Sequence, residues 1–380
     1  MPSFSREFGR EALKPCVALE NPVKGDYGEQ VNKEIQNDGL RGVRIWLGIM
    51  LGLILLMVAV GGITRLTESG LSMTTWEPVM GAIPPLSADD WQFRFDQYRS
   101  SPEYQQLRKG MSLEDFKFIF FWEYFHRLLG RLLGVIYALP LAFFWWRGVL
   151  RRGLKVKLLI GLLLGGSQGL MGWFMVKSGL VDNPYVSHFR LAAHLGLAFI
   201  VFSYLLTILL SLVRVEQPAG RASRGALGWA SGITLLLVLQ MVWGAFVAGL
   251  NAGFMYNTYP LMQGYWIAPH WNYMQPFIMN LIDNPITVQF IHRWLGAILL
   301  LVTFAGWAVL RRDASVQGLR RWSIDMTALA MTGQFVLGIL TLVLHVPLAL
   351  GVMHQVLACI LTGLVTVLLY SFLHREGEAA

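Results

Sequence analysis

Glu123-Tyr124-Phe125-His126-Arg127-Leu128-Leu129-Gly130 lies near the start of a long apolar run. Gln289-Phe290-Ile291-His292-Arg293-Trp294-Leu295-Gly296 repeats it in the second half of the chain. Each stretch places a histidine and an arginine inside an apolar segment, where ionisable groups are costly and are functional candidates by default. In the first stretch Glu123 and His126 stand three apart and share one helix face. The copy keeps His-Arg and the glycine but carries Gln289 in place of the acid.

The chain has 380 residues, 55% of them hydrophobic and 14% charged, against roughly 25% charged in soluble domains. This is the composition of a polytopic membrane protein. The net charge of +8 gathers in short loops between apolar runs, which reads as a topology signal and not as a nucleic-acid surface. Cys16 and Cys359, the two cysteines, give no disulfide framework.

Eight apolar runs, each near the roughly 20 residues that cross a bilayer, fall at 44–64, 119–146, 156–177, 190–213, 226–249, 286–309, 325–345 and 349–373. Between the second and third lie Arg147, Arg151, Arg152, Lys155 and Lys157. Arg214, Arg221 and Arg224 follow the fourth run, and Arg311, Arg312, Arg320 and Arg321 follow the sixth. The loop between the fifth and sixth has neither Lys nor Arg. The positive-inside rule then puts both termini in the cytoplasm or matrix and the two long loops, 65–118 and 250–285, outside. Trp91, Phe93, Phe95, Tyr98 and Tyr104 in the first loop read as interfacial helices. Tyr256, Tyr259, Tyr265, Trp266, Trp271 and Tyr273 in the second read as an aromatic belt, with some of them available to roof a ligand pocket. Residues 1–43 are polar and rich in acids, unlike a transit peptide or secretory signal, and read as a flexible inner-side tail.

The halves match helix by helix. Gly61, Gly70, Thr75, Trp76 and Gly81 align, at one constant offset, with Gly244, Gly253, Thr258, Tyr259 and Gly264. His126, Gln168 and Gly172 align at a second, shorter offset with His292, Gln334 and Gly338, because the first outer loop is the longer of the two. His194 aligns in turn with His354. Four helices per half make the repeats parallel. The expected fold is an all-α polytopic membrane protein of eight transmembrane helices in two tandem four-helix bundles. Its parts are a tail 1–43, a bundle 44–213, an inner linker 214–225, a bundle 226–373 and a tail 374–380.

All four repeated histidines sit early in helices that run from outside to inside. His194 is about 6 Å of helical rise past Arg190; His126 and His292 are at most about 13 Å past Lys117 and Asp283. His126 and His194 thus share one depth in one bundle, as do His292 and His354 in the other. Two imidazoles facing across a four-helix bundle suit axial ligation of a haem iron. A zinc ion would call for three or four ligands, and no cysteine or carboxylate cluster lies at that depth. A lone membrane histidine is as readily a hydrogen-bonded core residue; a matched pair occurring twice is not. Arg127 and Arg293 either pair with haem propionates or snorkel to the interface. His188, His270, His345 and His374 read as structural. A carboxylate near a haem can move protons, which Gln289 cannot do; the bland role for Glu123 is an ion pair with Arg127 at i+4. The asymmetry points to a fixed haem in the second half and chemistry in the first. A dihaem electron-transfer protein and a transporter with a histidine proton relay are the competing readings.

At these residues the chain resembles the haem A synthase family. The resemblance spans residues 44–373 through Gly61-Gly62-Ile63-Thr64-Arg65-Leu66-Thr67, Thr75-Trp76-Glu77-Pro78, Glu123-x-x-His126-Arg127, His194, His292-Arg293 and His354. It implies an integral protein of the bacterial or mitochondrial inner membrane that oxidises a methyl group of haem O to the formyl group of haem A, for assembly of a terminal oxidase. By the same resemblance His126 and His194 flank the substrate haem, Glu123 is catalytic, and His292 and His354 ligate a haem b cofactor. The implied partners are a haem O synthase handing over substrate, an electron donor, the lipid bilayer and, as an open question, further copies of the chain. Some bacterial members carry cysteine pairs in the outer loops. This chain has none there and looks like the mitochondrial and alphaproteobacterial branch.

Overall fold

A computed structural model describes residues 23–75, 80–180, 184–213 and 222–374. Cys16, Trp76, Glu77, Pro78, Arg214, Arg221 and most of the two expected tails and linker lie outside these residues. Among the described residues all regular structure is helical, apart from an isolated bridge between Met262 and Tyr265. The helices are α1 (Val23–Leu66), α2 (Ala88–Arg99), α3 (Pro102–Leu107), α4 (Leu113–Trp146), α5 (Arg152–Lys177), α6 (His188–Leu212), α7 (Arg224–Gly249), α8 (Ile278–Ile282), α9 (Pro285–Leu310), α10 (Gly318–Val343) and α11 (Leu348–Leu373). Eight of these, α1 from Leu40 onward, α4–α7 and α9–α11, are long and apolar enough to cross a membrane. The protein is an integral, multi-pass membrane protein.

The ends of the spans follow local chemistry. Ser112 accepts from the Asp115 N–H to cap α4, whose first turn carries Glu114 and Asp115, a favourable pairing of acid with a helix N-terminus. Asn284 caps α9 with Pro285 in its first turn, where proline's fixed φ and missing N–H cost nothing. Two boundaries differ from the sequence expectation. α1 starts at Val23, so residues 23–43 are helical and not a loose tail; Pro22 stands just before it, and Glu, Gln and Lys within it are good helix formers. α10 starts at Gly318 and takes in Arg320, expected as a loop cation. That guanidinium is fully buried and donates to the carbonyls of Ser371 at 2.8 Å and Ser315 at 2.9 Å.

One apolar core is built mainly from α1, α4, α5 and α6, the other from α7, α9, α10 and α11. They meet at Cys359 and Met241, residues of the second half packed into the first core. α11 and α1 are the most enclosed spans and α5 the least. On α5, Leu163 and Leu170 are exposed, as expected of a helix bathed in lipid. Polar contacts cross between halves. Gln355 donates to the Val58 carbonyl at 3.0 Å, Thr366 to the Ser203 hydroxyl at 3.0 Å, and Arg65 to Asn251 Oδ1 at 2.8 Å.

The face bearing the long loops, expected outside, is called the outer face below. There α2 and α3 fold over the start of α4. Phe95, Tyr98 and Tyr104, read from the sequence as interfacial, are buried against Phe116, Ile119 and Phe120, whereas Phe93 is exposed. Tyr265, Trp266, Trp271 and Tyr273 of the second loop are exposed, as a belt requires.

Four cradled histidines and two loop pins

Each repeated histidine lies against a glycine of a neighbouring span. A Cβ built on Gly61, Gly172, Gly244 and Gly338 would stand 3.4, 3.1, 2.9 and 2.9 Å from Cε1 of His126, His194, His292 and His354 respectively. Real Cβ contacts are rarely as close as those at Gly172, Gly244 and Gly338, whereas the one at Gly61 is near ordinary contact. The glycines let an imidazole rest directly on helix backbone on α1, α5, α7 and α10.

One turn before three of those glycines stands a glutamine. Gln168 donates through Nε2 to the His194 carbonyl at 3.0 Å, Gln240 to the His292 carbonyl at 3.1 Å, and Gln334 to the His354 carbonyl at 3.0 Å. The last two amides also approach the imidazole Nε2 of their histidines, at 3.4 and 3.3 Å. One turn before Gly61 the residue is Met57. Met57 and Gln240 occupy matching places, against Gly130 and Gly296, each of which stands one turn after its histidine, His126 or His292.

His126 and His194 stand on α4 and α6 of the first half, and His292 and His354 on α9 and α11 of the second. Nδ1 of His194, His292 and His354 is buried with no hydrogen-bond partner. Buried imidazole nitrogens are normally paired; these are free to bind something the protein does not itself supply. Two imidazoles per half, set on backbone cradles and approached in the second half by the Gln240 and Gln334 amides, would suit the ligands of a haem iron.

The residues beside the histidines hold the outer loops. Glu123 is 3% exposed. It accepts from Ser72 Oγ at 2.6 Å and the Met73 N–H at 2.8 Å through one oxygen, and from Arg127 at 2.6 Å through the other. Arg127 also donates to the carbonyls of Met73 at 3.0 Å and Thr75 at 3.2 Å. In the second half Gln289 donates to the carbonyls of Ala252 at 2.8 Å and Tyr256 at 3.3 Å. Arg293 donates to Gln289 Oε1 at 3.3 Å, to the Thr258 carbonyl at 2.7 Å and to the Tyr256 carbonyl. Met73 and Thr75 align with Tyr256 and Thr258, so both arginines pin the same two loop carbonyls. The ion pair read from the sequence at Glu123 and Arg127 is present, and a small pocket lined by Ser72, Met73, Thr75, Arg94 and Gln97 opens beside it.

Above Glu123 lie two groups not singled out in the sequence. Glu103 on α3 is 4% exposed and pairs with Arg108 at 3.3 Å; Arg108 reaches on to the exposed Glu68 at 3.2 Å. Burial pushes the Glu103 carboxyl up to about 7 and raises the Tyr98 phenol beside it. His188 is buried at the start of α6, its Nε2 at 3.0 Å from the Ile282 carbonyl, a structural place that joins the halves. Gln240, Met57, Ser72 and Met73 are the site residues that sequence reasoning missed. The alignment that pairs Gly61 with Gly244 also pairs Met57 with Gln240 and was the available signal.

Residues 44–366 match the model of a family described as cytochrome oxidase assembly protein. A protein of Rhodospirillum centenum named "Heme A synthase" is 47% identical over 329 residues, 85% of this chain and 86% of the relative. Proteins of the same name from Agrobacterium fabrum and Nitrosospira multiformis are 44% and 43% identical. They cover 90% and 84% of this chain, and 92% and 90% of the respective relatives.

Proposed function

We propose, from the premise that this chain belongs to the haem A synthase family of cytochrome oxidase assembly proteins, that it oxidises a methyl group of haem O to the formyl group of haem A. It is an oxidoreductase of the bacterial inner membrane, or of the mitochondrial one. His126 and His194 hold the substrate haem, and His292 and His354 hold a resident haem b. Iron at the two sites supplies the redox chemistry.

What the chain's own residues do follows from their places. The glycines set the imidazole planes, and the apolar spans exclude bulk water from them. Taking a methyl to a formyl group by successive hydroxylations removes four electrons and adds an oxygen atom. With dioxygen as oxidant, each hydroxylation takes two electrons from the methyl carbon and two from an electron donor, and the protons involved must cross an apolar site. Glu123 stands one turn from His126 and is the carboxylate placed to handle protons there. One of its oxygens accepts from Arg127 at 2.6 Å. Arg127 and Arg293 are the candidate propionate partners; engaging a propionate would trade against the loop carbonyls they hold. A haem O synthase as donor of substrate, and an electron donor, are the partners this chemistry needs.

The observation that carries the reading is the unequal pair: two histidine sites of like construction, with a carboxylate beside one and an amide beside the other. Haem extraction tests it. Purified protein should carry haem b with a smaller amount of haem O or haem A. Two equivalents of haem b would support a dihaem electron-transfer protein instead, a reading favoured by the likeness of the Glu123–Arg127 and Gln289–Arg293 loop pins. Colourless protein would sink both.

A further inference from the structure

We infer that Gln168, Gln240 and Gln334 are positioning residues that fix three of the four histidines, and that Met57, standing where the fourth glutamine would be, leaves His126 as the ligand able to release iron. The inference rests on the reading of the histidines as haem ligands.

Two independent features single out His126. The first is the missing tether. Each glutamine ties the backbone of its histidine to a neighbouring span through an amide N–H at 3.0 or 3.1 Å. In a low-dielectric bundle such a bond has no water competing for it. A thioether has no N–H to give, and methionine is an unbranched, adaptable filler that holds its neighbours loosely. The second is the cradle. A Cβ built on Gly61 would stand 3.4 Å from the His126 ring, where at the other three glycines it would stand 2.9 to 3.1 Å from its histidine. Among the described residues, His126 is the repeated histidine whose ring lies farthest from its glycine's built Cβ and whose carbonyl receives no glutamine amide.

The consequence fits the division of labour between the halves. A resident haem needs two ligands that never let go. A haem that arrives as substrate and departs as product needs one ligand that does, and the same release opens a coordination position on the iron. The loose ligand stands in the half that carries Glu123.

The test uses the full-length protein loaded with haem and reads two quantities besides activity: transfer of haem to excess apomyoglobin, and carbon monoxide binding to the reduced iron. In the natural protein the haem of the first half should transfer and bind carbon monoxide, and the haem b of the second half should do neither. Met57→Gln should slow transfer about tenfold, a factor equivalent to about 1.4 kcal/mol, and suppress carbon monoxide binding. Met57→Leu, which also lacks a donor, should exchange like the natural protein. Gln240→Met should make the second-half haem exchangeable, so the inference stays open to refutation if Met57→Gln fails to fold. Unchanged exchange in both Met57→Gln and Gln240→Met would overturn it. His126→Ala separates the two levels. If it leaves the first-half haem spectrum unaltered, the ligand reading itself fails; if it alters the spectrum while Met57→Gln does nothing, only the tether inference fails.

Discussion

Glu123 and Arg127 form an ion pair of 2.6 Å across one turn of α4, with the carboxylate only 3% exposed. The same turn of α9 joins Gln289 and Arg293 at 3.3 Å. An amide can therefore hold the arginine and the loop without a charge. Glu123→Gln should keep α4 and the haem of the first half, because its Oε1 still accepts from Arg127, while its NH2 in place of Oε2 meets the Met73 N–H and loosens the loop there. Loss of a general acid or base typically costs about 100-fold or more in rate, so haem A formation should fall by that order. The check is haem content and haem A yield on the same preparation. Full yield from the variant would leave Glu123 with its loop-pinning role alone.

The cradles rank themselves by clearance. Gly338→Ala and Gly244→Ala place a methyl 2.9 Å from an imidazole carbon, against 3.1 Å for Gly172→Ala and 3.4 Å for Gly61→Ala. A rigid helix backbone cannot yield as a side chain can. The first two should lose most of the haem b, Gly172→Ala should lose part of the substrate haem, and Gly61→Ala should lose least. Pyridine haemochrome analysis of the four variants measures the order. A loss at Gly61 equal to that at Gly338 would contradict the packing given for these rings.

Glu103 makes the outer cover pH-dependent. Burial, countered by Arg108 and reinforced by the nearby Glu68 and Glu123, lifts its carboxyl from the ordinary 4.5 to about 7. The folded cover thus binds more proton than the unfolded one between these values. Its stability is fully present below about pH 4.5 and is lost as pH rises through about 7. The full difference is of the order of 3 kcal/mol. Hydrogen exchange across residues 88–107 should quicken from pH 5 to pH 8 by more than the intrinsic rate explains, and Glu103→Gln should flatten that excess. A flat profile in the natural protein would show that Glu103 is ionised throughout.

The eight spans were legible because hydropathy over some 20 residues is a property of the segment itself. The histidines were legible because the chain carries its own copy of them. Gln240 was not, since its counterpart is Met57: a comparison by identity passes over the position where the halves differ, although the difference is the informative part. The i+4 pair of Glu123 and Arg127 was legible, but the loop carbonyls that Arg127 and Arg293 hold were not, because every residue has a backbone carbonyl. Glu103 looked like one more loop acid. Its burial comes from α2 and α3 docking on Phe116 and Phe120, a tertiary event with no local signature.

Arg293 tests whether the loop pin and the haem site are one device. Its guanidinium holds the carbonyls of Tyr256 and Thr258 together with Gln289, and the residue is 8% exposed. A lysine retains the charge but not the planar fork that reaches several acceptors at once. Hydrogen bonds to a charged group contribute about 2 kcal/mol each, so Arg293→Lys should free the segment around Tyr256–Thr258 while α9 stays folded. Proteolysis or hydrogen exchange in residues 250–265 should rise sharply. Because Arg293 directly follows His292, the haem b spectrum should shift with it. A loosened loop with an unmoved spectrum would mean that the arginine pins the loop and has no part in holding the haem.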